Sequence, residues 1–310
     1  MFAEPDPDIT RRLDPELRPF AAARCDLSPQ PLAAVRDSLN QRRRETLSQV
    51  DTAGVHIADT SARSVTVRIY RGATSPSPAV IYCHAGAFVL GNLDTDHRQC
   101  VELARRGECT VVSVAYRLAP EHRCPAALDD AAAVLDWAWH RASELGLDPD
   151  RLAVAGNSAG AALAAGLAHR SAAGTLPPIV FTLLHQPVLD DRPSGSKTEF
   201  VTTPGFDGAA AAAMWQHYLG DAPPIADAVP GRETRLAGGA STLITCSELD
   251  PLRDEALDYA HRLMRAGVRT ELHVFAGTCH GFDSLCPDSD VSRALFAMQG
   301  DALRRAFGET

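Results

Sequence analysis

The stretch RLAVAGNSAGAALAAGLAHR, residues 151–170, decides the fold because an apolar run becomes an alanine-rich helix without a connecting loop. Residues 151–155 have the composition of a buried strand, and a helical pattern begins directly after Ser158. Gly156 and Gly160 flank this serine at two-residue spacing, as in a nucleophile elbow. A sharp turn of that kind holds the hydroxyl near a helix N-terminus, where negative charge is favoured. The same pattern also occurs in ordinary strand-to-helix turns, so its meaning depends on the rest of the chain.

Strand and helix patterns alternate on both sides of this turn and predict an α/β fold. Eight segments have strand character: residues 55–60, 64–71, 79–83, 110–116, 151–155, 179–185, 241–247 and 270–275. Helical character is found at residues 97–106, 126–145, 159–173, 254–266 and 292–307. Several strand segments are almost continuously apolar, which is typical of strands buried on both faces of a parallel sheet. We therefore predict an eight-stranded, mostly parallel sheet with helices on both faces.

Two segments do not follow this alternation. Residues 1–50 have the pattern of two amphipathic helices, at 14–23 and 31–46. Residues 200–230 form a long connection with a short helix around 215–218. Long connections inside a compact domain are usually lids or binding loops. We predict that both segments form a helical cap over one end of the sheet, while residues 51–310 form the catalytic domain.

The net charge and the apolar patterning argue against two classes of protein. The formal charge of −9 argues against a nucleic-acid surface, because phosphate binding requires clustered Lys and Arg. The basic run QRRR, residues 41–44, is too short to change this, and we interpret it as the solvated end of a helix. No apolar run reaches the roughly 18 residues of a membrane span, and residues 1–20 lack the apolar core of a secretory signal. We expect a cytoplasmic location and no nucleic-acid partner.

The eight cysteines show no C-x-x-C pair and no other spacing typical of metal ligands. We interpret them as reduced and mostly buried side chains. No metal site is therefore expected.

A serine hydroxyl is a poor nucleophile unless a neighbouring base takes its proton, so a histidine and a carboxylate are needed elsewhere in the chain. Asp250 and His280 both follow predicted strands, where open parallel sheets gather their ligands. The chain order Ser158, Asp250, His280 is that of the α/β-hydrolase pattern. Three other carboxylates remain rivals for the acid: Glu248, Asp254 and Asp283.

The oxyanion that forms after nucleophilic attack needs backbone N–H donors. The loop after the third predicted strand, HAGAF at residues 84–88, has the small residues that suit such donors. Ala159, directly after Ser158, offers a second N–H group.

The chain resembles the hormone-sensitive-lipase-like esterases (family IV) of the α/β-hydrolase superfamily. The resemblance rests on HAGAFVLGNLDTDH (84–97), YRLAPEHRCPAALDD (116–130), GNSAGA (156–161), SELDPLRDEALDYAHRL (247–263) and CHGF (279–282). It implies an α/β-hydrolase fold with a cap and a carboxylic-ester hydrolase activity. It also implies the roles of six residues: Ser158 as nucleophile, His280 as base, Asp250 as its partner, and the Gly86, Ala87 and Ala159 amides as the oxyanion hole.

The oxyanion loop departs from the usual His-Gly-Gly-Gly of that family. Ala85 and Ala87 stand where the family has glycine, and Asn157 replaces the usual aspartate of the elbow. A side chain at these positions is expected only where φ is negative and nothing presses on the backbone. We hypothesise that the Ala87 methyl group restricts substrate size.

The expected substrate is a short-to-medium acyl ester or a lactone, hydrolysed through an acyl-enzyme without a metal or an organic cofactor. Candidate pocket walls are Phe88, Phe206, Trp215 and Tyr218, although ordinary core or cap packing is the better explanation of such residues. Two other functions use the same scaffold: a small-molecule receptor, and an amide or carbamate hydrolase. A homodimer through the C-terminal helix and an edge strand is a further possibility.

Overall fold

Eight strands form one sheet within residues 6–221 and 225–308, which are the residues that this computed structural model describes. In chain order they are β1 His56–Ala62, β2 Val65–Arg71, β3 Ser77–Cys83, β4 Thr110–Val114, β5 Leu147–Asn157, β6 Phe181–His185, β7 Ser241–Leu249 and β8 Thr270–Cys279. Their order across the sheet is β1-β2-β4-β3-β5-β6-β7-β8. β2 is antiparallel to both of its neighbours, and the other neighbouring strands are parallel. The predicted fold class is confirmed.

Helices cover both faces of the sheet. They are α1 Pro7–Arg12, α2 Leu32–Thr46, α3 His97–Arg106, α4 Ala126–His140, α5 Ala142–Leu145, α6 Ala159–Ala172, α7 Gly195–Glu199, α8 Gly208–Leu219, α9 Arg253–Arg265, α10 Phe282–Leu285 and α11 Asp290–Gly308. Alternate residues of the central strand β3 contact opposite layers: Ile81 packs in the cluster that contains α4, α6 and α9, and Val80 packs in the cluster with α3 and α11. All seven residues of β3 are buried, so both of its faces need apolar side chains.

The first helix predicted in the N-terminal segment, at residues 14–23, is wrong. A helix lies earlier, at α1, because the Asp6 side chain accepts a hydrogen bond from the Asp8 amide and Pro7 occupies the first turn. Pro19 falls inside the predicted range, and only a short 3₁₀ turn forms there. The second predicted helix is present as α2. Residues 1–5 of the predicted cap segment lie outside the described residues.

The helix in the second cap segment is longer than the predicted 215–218. α8 begins after Asp207, whose carboxylate accepts a hydrogen bond from the Ala210 amide at 2.9 Å. Five consecutive alanines follow, and alanine is the best helix former. Residues 222–224 of this predicted segment lie outside the described residues.

The N-terminal segment is fixed to loops at the carboxyl ends of the parallel strands. Arg12 of α1 forms an ion pair with Glu248, the second-last residue of β7. Arg36 of α2 donates to the Val89 carbonyl and pairs with both carboxylate oxygens of Glu121. These contacts keep α1 and α2 at the edge of the sheet where Ser158 lies.

Candidate active site

The turn at Ser158 is strained and is held by close backbone contacts. Ser158 has φ 57° and ψ −117° between β5 and α6, an unusual conformation for a residue with a side chain. A Cβ on Gly156 would lie 2.2 Å from the Gly160 carbonyl oxygen, and one on Gly160 would lie 2.0 Å from that of Cys83. The Ser158 amide donates to the His185 carbonyl at 2.8 Å. Both glycines of the motif are therefore required by the turn itself.

Three side chains from separate loops form one hydrogen-bonded chain. His280 Nε2 lies 2.9 Å from Ser158 Oγ, and His280 Nδ1 lies 2.8 Å from Asp250 Oδ2. The other carboxylate oxygen of Asp250 accepts from the Leu252 amide at 2.8 Å, which fixes the carboxylate plane. Asp250 is fully buried, and His280 is largely buried. The structure thus brings together the three residues that the sequence analysis selected for nucleophilic catalysis.

The rival carboxylates have other partners. Glu248 accepts from the Gly277 amide and pairs with Arg12. Asp254 accepts from the Ser196 amide at 2.7 Å. Asp283 is fully buried against His185 and Gln99, at 3.3 Å and 2.8 Å. Asp250 is the carboxylate that contacts the His280 ring within the described residues.

Gln186, which the sequence analysis missed, holds the loop that carries His280. Its side-chain oxygen accepts from the Gly281 amide at 2.8 Å, and its side-chain nitrogen donates to the Cys279 carbonyl at 3.2 Å. That nitrogen also donates to Ser247 Oγ at 2.6 Å, and Ser247 Oγ donates to the Cys279 carbonyl. One fully buried amide therefore binds the backbone on both sides of His280.

The loop after β3 offers unpaired amide hydrogens beside Ser158. Within the described residues, the N–H groups of Gly86, Ala87 and Ala159 donate to no other protein group. Gly86 and Ala87 line the same cavity as Ser158, and Ala159 is the first residue of α6. Ala87 has φ 54°, so the expectation of negative φ for a residue with a Cβ is wrong there.

Buried polar groups fix the conformation of this loop. Asp96 is almost fully buried, and one of its oxygens accepts from the Ala85 amide at 2.8 Å and from the Tyr82 hydroxyl at 2.9 Å. Burial lowers the pKa of His84 to about 4, so the imidazole ring is neutral. The ring stacks on that of Tyr116, and its Nδ1 lies 2.7 Å from the Ala85 carbonyl oxygen. His84 therefore shapes the loop without carrying charge.

A cavity of about 860 Å³ opens onto Ser158 and His280. This volume lies within the usual range for small-molecule sites. Its walls include residues of the N-terminal segment (1–50), of the loop at Gly86 and of the second predicted cap segment (200–230). Phe206 lines it, and the Phe206 ring centroid lies 4.8 Å from that of His280.

The other three aromatic candidates do not line this cavity. Phe88, Trp215 and Tyr218 are buried in the main hydrophobic core, where the Phe88 and Tyr218 rings stack with centroids 3.7 Å apart. The core-packing alternative is the better description of these three residues.

The described residues contain no group of three or more His, Cys, Asp or Glu side chains arranged to hold a metal ion. Their eight cysteines are free thiols, five of them buried. Within residues 6–221 and 225–308, every helix is too short or too polar to cross a lipid bilayer.

Comparison with known proteins gives consistent matches. Residues 80–284 match the sequence model of a family described by its alpha/beta hydrolase fold. Esterase LipI of Mycobacterium tuberculosis is 40% identical over 232 residues, which are 72% of this chain and 72% of that protein. The crystal structure of esterase LipW from Mycobacterium marinum is 59% identical, with a TM-score of 0.95 over 97% of this chain and 98% of that one. A bacterial heroin esterase is 35% identical, with a TM-score of 0.91 over 96% of this chain and 99% of that one.

Proposed function

Because the chain belongs to the α/β-hydrolase fold family, in its hormone-sensitive-lipase-like branch, and is a carboxylic-ester hydrolase, we propose that Ser158, His280 and Asp250 are its catalytic residues. One observation carries this proposal: the chain of hydrogen bonds from Ser158 Oγ through the His280 ring to Asp250, with distances of 2.9 and 2.8 Å. That geometry is the one in which an imidazole deprotonates an alcohol while a carboxylate fixes its tautomer. The substrates are small-molecule esters.

In the first half of the reaction, His280 Nε2 takes the proton of Ser158 Oγ as that oxygen bonds to the ester carbonyl carbon. The carbonyl electron pair moves to the oxygen, which the Gly86, Ala87 and Ala159 amides then stabilise. When the carbonyl re-forms, the bond to the leaving alcohol breaks, and the protonated His280 gives its proton to that alcohol. The product is an acyl group esterified to Ser158.

In the second half, water replaces the alcohol. His280 takes a proton from the water, and the resulting hydroxide attacks the acyl carbon. Collapse of this second oxyanion breaks the bond to Ser158 Oγ, which recovers its proton from His280. The two halves together use the three side chains, the backbone amides of the loop and of Ala159, and one water molecule.

We propose short-to-medium acyl esters or lactones as the substrate class. The cavity volume supports this range, because about 860 Å³ holds a ligand of moderate size. Phe206 is the proposed aromatic wall beside His280. Residues 1–50 and 200–230 are proposed as the cap, since α2 and Phe206 contribute to the cavity walls. Relatives named as esterases and carboxylesterases do not favour the alternatives of a receptor or an amide or carbamate hydrolase.

A homodimer and a cytoplasmic location are also proposed. β8 lies at one edge of the sheet, and its Val274 is 37% exposed, which leaves an edge that suits pairing with a second copy. The free thiols in the described residues are typical of a reducing compartment. Sedimentation of the purified chain tests the dimer, and fractionation of expressing cells tests the location.

Labelling with a fluorophosphonate probe, together with hydrolysis of 4-nitrophenyl acetate, tests the catalytic assignment. We expect Ser158 to be the labelled residue and Ser158→Ala to lose both labelling and turnover. Ser171→Ala is the matched control, because Ser171 lies at the far end of α6 and bonds the Pro177 carbonyl. Full ester hydrolysis by a folded Ser158→Ala protein would refute the mechanism.

A further inference from the structure

The basic run at residues 41–44 is not simply a solvated helix end. One face of α2 forms a wall of the active-site cavity, through residues 34, 35, 38, 39, 42, 43 and 46. This face is apolar at Val35 and Leu39 and cationic at Arg42 and Arg43. The residues from 34 to 43 span about 13 Å of helix. The cavity wall therefore changes from apolar to positively charged along the helix.

Arg43 is the unusual member of this face. It is partly buried, its Nε is fully buried, and within the described residues that atom has no hydrogen-bond partner. No carboxylate oxygen of the described residues lies within ion-pair distance of its guanidinium group. Buried donors in proteins are nearly always paired, so an unpaired one is unusual. Because Arg43 lines the cavity, its guanidinium group can meet a ligand that binds there.

Two acidic residues, Asp26 and Asp96, line the same cavity, but neither forms an ion pair with Arg43. Burial raises the pKa of Asp96, and the charge of Arg43 opposes that rise. One Asp96 oxygen accepts from the Tyr82 hydroxyl and the Ala85 amide, and the other, Oδ1, is buried with no hydrogen-bond partner among the described residues. On the same cavity wall, the Asp26 carboxylate accepts from the amide and hydroxyl of Ser28. Neither carboxylate hydrogen-bonds to Arg43. The cationic end of the cavity is thus not neutralised by a direct ion pair.

We propose that Arg43, assisted by Arg42, binds a carboxylate or similar anionic group carried by the ester substrate at a distance from its scissile bond. This inference rests on the proposed function, since it places the substrate in the cavity of Ser158. A planar guanidinium with unpaired N–H groups matches the two oxygens of a carboxylate. The apolar stretch at Val35 and Leu39 suits the hydrocarbon that separates the carboxylate from the ester. The substrate class is then a half-ester or other anionic ester.

Pairs of substrates that differ in this charge test the proposal. Monoethyl esters of linear dicarboxylic acids, from succinic to suberic, are compared with ethyl esters of unbranched monocarboxylic acids of equal carbon number. A second series carries the charge on the alcohol: acetate esters of ω-hydroxy acids against acetate esters of alkanols. Released ethanol or acetate gives kcat/KM for each member. The measured quantity is the ratio of kcat/KM for the anionic ester to that for its neutral partner.

We expect Arg43→Gln to lower this ratio about tenfold at the best chain length, the usual effect of losing one hydrogen bond to a charged group. Arg43→Lys keeps the charge and should recover most of the ratio. Arg44→Gln is the matched control, because Arg44 is exposed on the same helix and does not line the cavity. It changes the net charge equally and should leave the ratio unchanged.

Two results would overturn the subsite. One is an equal ratio in the wild type and in Arg43→Gln for both substrate series. The other is an equal fall of the kcat/KM ratio in Arg43→Gln and Arg44→Gln. That result would show that the preference for anionic esters comes from the net charge of the protein and not from a contact with Arg43. Failure of the proposed function is distinct from both, because the wild type would then hydrolyse none of the neutral ethyl and acetate esters.

Discussion

Replacement of Gln186 tests whether the loop of His280 must be held for catalysis. Gln186→Met keeps the approximate length of the side chain but cannot bond the Gly281 amide, the Cys279 carbonyl or Ser247. The partly buried Gly281 N–H then has no protein partner, and leaving a donor without a partner costs up to about 1–3 kcal/mol. With the lost bond to Ser247, we expect the free energy of unfolding to fall by about 2–4 kcal/mol.

The larger consequence is expected in turnover. His280 Nε2 lies at hydrogen-bond distance from Ser158 Oγ because the backbone at 279 and 281 is fixed. A displacement of about 1 Å in a catalytic group lowers the rate roughly 100-fold, so a partly released loop should reduce kcat by about 10–100-fold. KM should change little, because Gln186 is not among the residues that line the cavity. Steady-state kinetics with a 4-nitrophenyl ester, beside urea unfolding, measure both effects.

Gln99→Met is the matched control for this prediction. Gln99 is also buried and bonds Asp283 and Ser284, but it does not contact the backbone on either side of His280. It should lose stability with a much smaller loss of kcat. Ser247→Ala is a milder second variant, which removes one donor to the Cys279 carbonyl. If folded Gln186→Met kept kcat within about threefold of wild type, or raised KM alone, the positioning role would be refuted.

Three further predictions concern the Asp250 carboxylate, the loop at Ala87 and the pH dependence of stability. Asp250→Asn should leave the fold intact by circular dichroism and lower kcat about 10⁴-fold, because the amide favours the wrong tautomer of His280. Ala87→Gly should raise the free energy of urea unfolding by about 0.5–1 kcal/mol, since it relieves a left-handed alanine but adds freedom to the unfolded chain. The same variant should hydrolyse branched esters better, and an unchanged size profile would contradict the restriction by the methyl group. Burial raises the pKa of Glu255 to about 7, so the folded state keeps a proton that the unfolded chain loses above pH 4.5. Stability should therefore fall as pH rises from about 4.5 to 7, by up to about 3 kcal/mol, and Glu255→Gln should lack this slope.

The proposed catalytic residues could be selected from the sequence because their positions follow from topology. Parallel strands end at one edge of a sheet, so residues that follow different strands meet there. Ser158, Asp250 and His280 each follow such a strand, and the chain order separated them from other serines, acids and histidines. The strand segments were predictable for a related reason. Strands buried on both faces need continuous apolar runs, which are visible locally.

The role of Gln186 was not predictable, because its partners lie 93 and 95 residues away in the chain. The one local signal was that Gln186, a polar residue, directly follows the last residue of β6. Three of the four aromatic candidates, Phe88, Trp215 and Tyr218, failed for the same physical reason. Phe88 and Tyr218 stack on each other across 130 residues of sequence, and no local pattern distinguishes a ring in the core from a ring in a cavity wall.

Ala87 shows how a tertiary contact can override a local rule. A left-handed alanine costs about 1–2 kcal/mol and persists only when its surroundings fix the backbone. Here the loop is bound on both sides of Ala87: Asp96 holds the Ala85 amide, and the Phe88 carbonyl accepts from the Ala119 amide at 2.9 Å. Since Ser158 is also at positive φ, two strained residues line the same cavity. The buried network around Asp96 must therefore outweigh the strain at Ala87, while the close backbone contacts of Gly156 and Gly160 hold the turn at Ser158. Loosening the Asp96 network would disturb the loop at Ala87 before it unfolded the sheet.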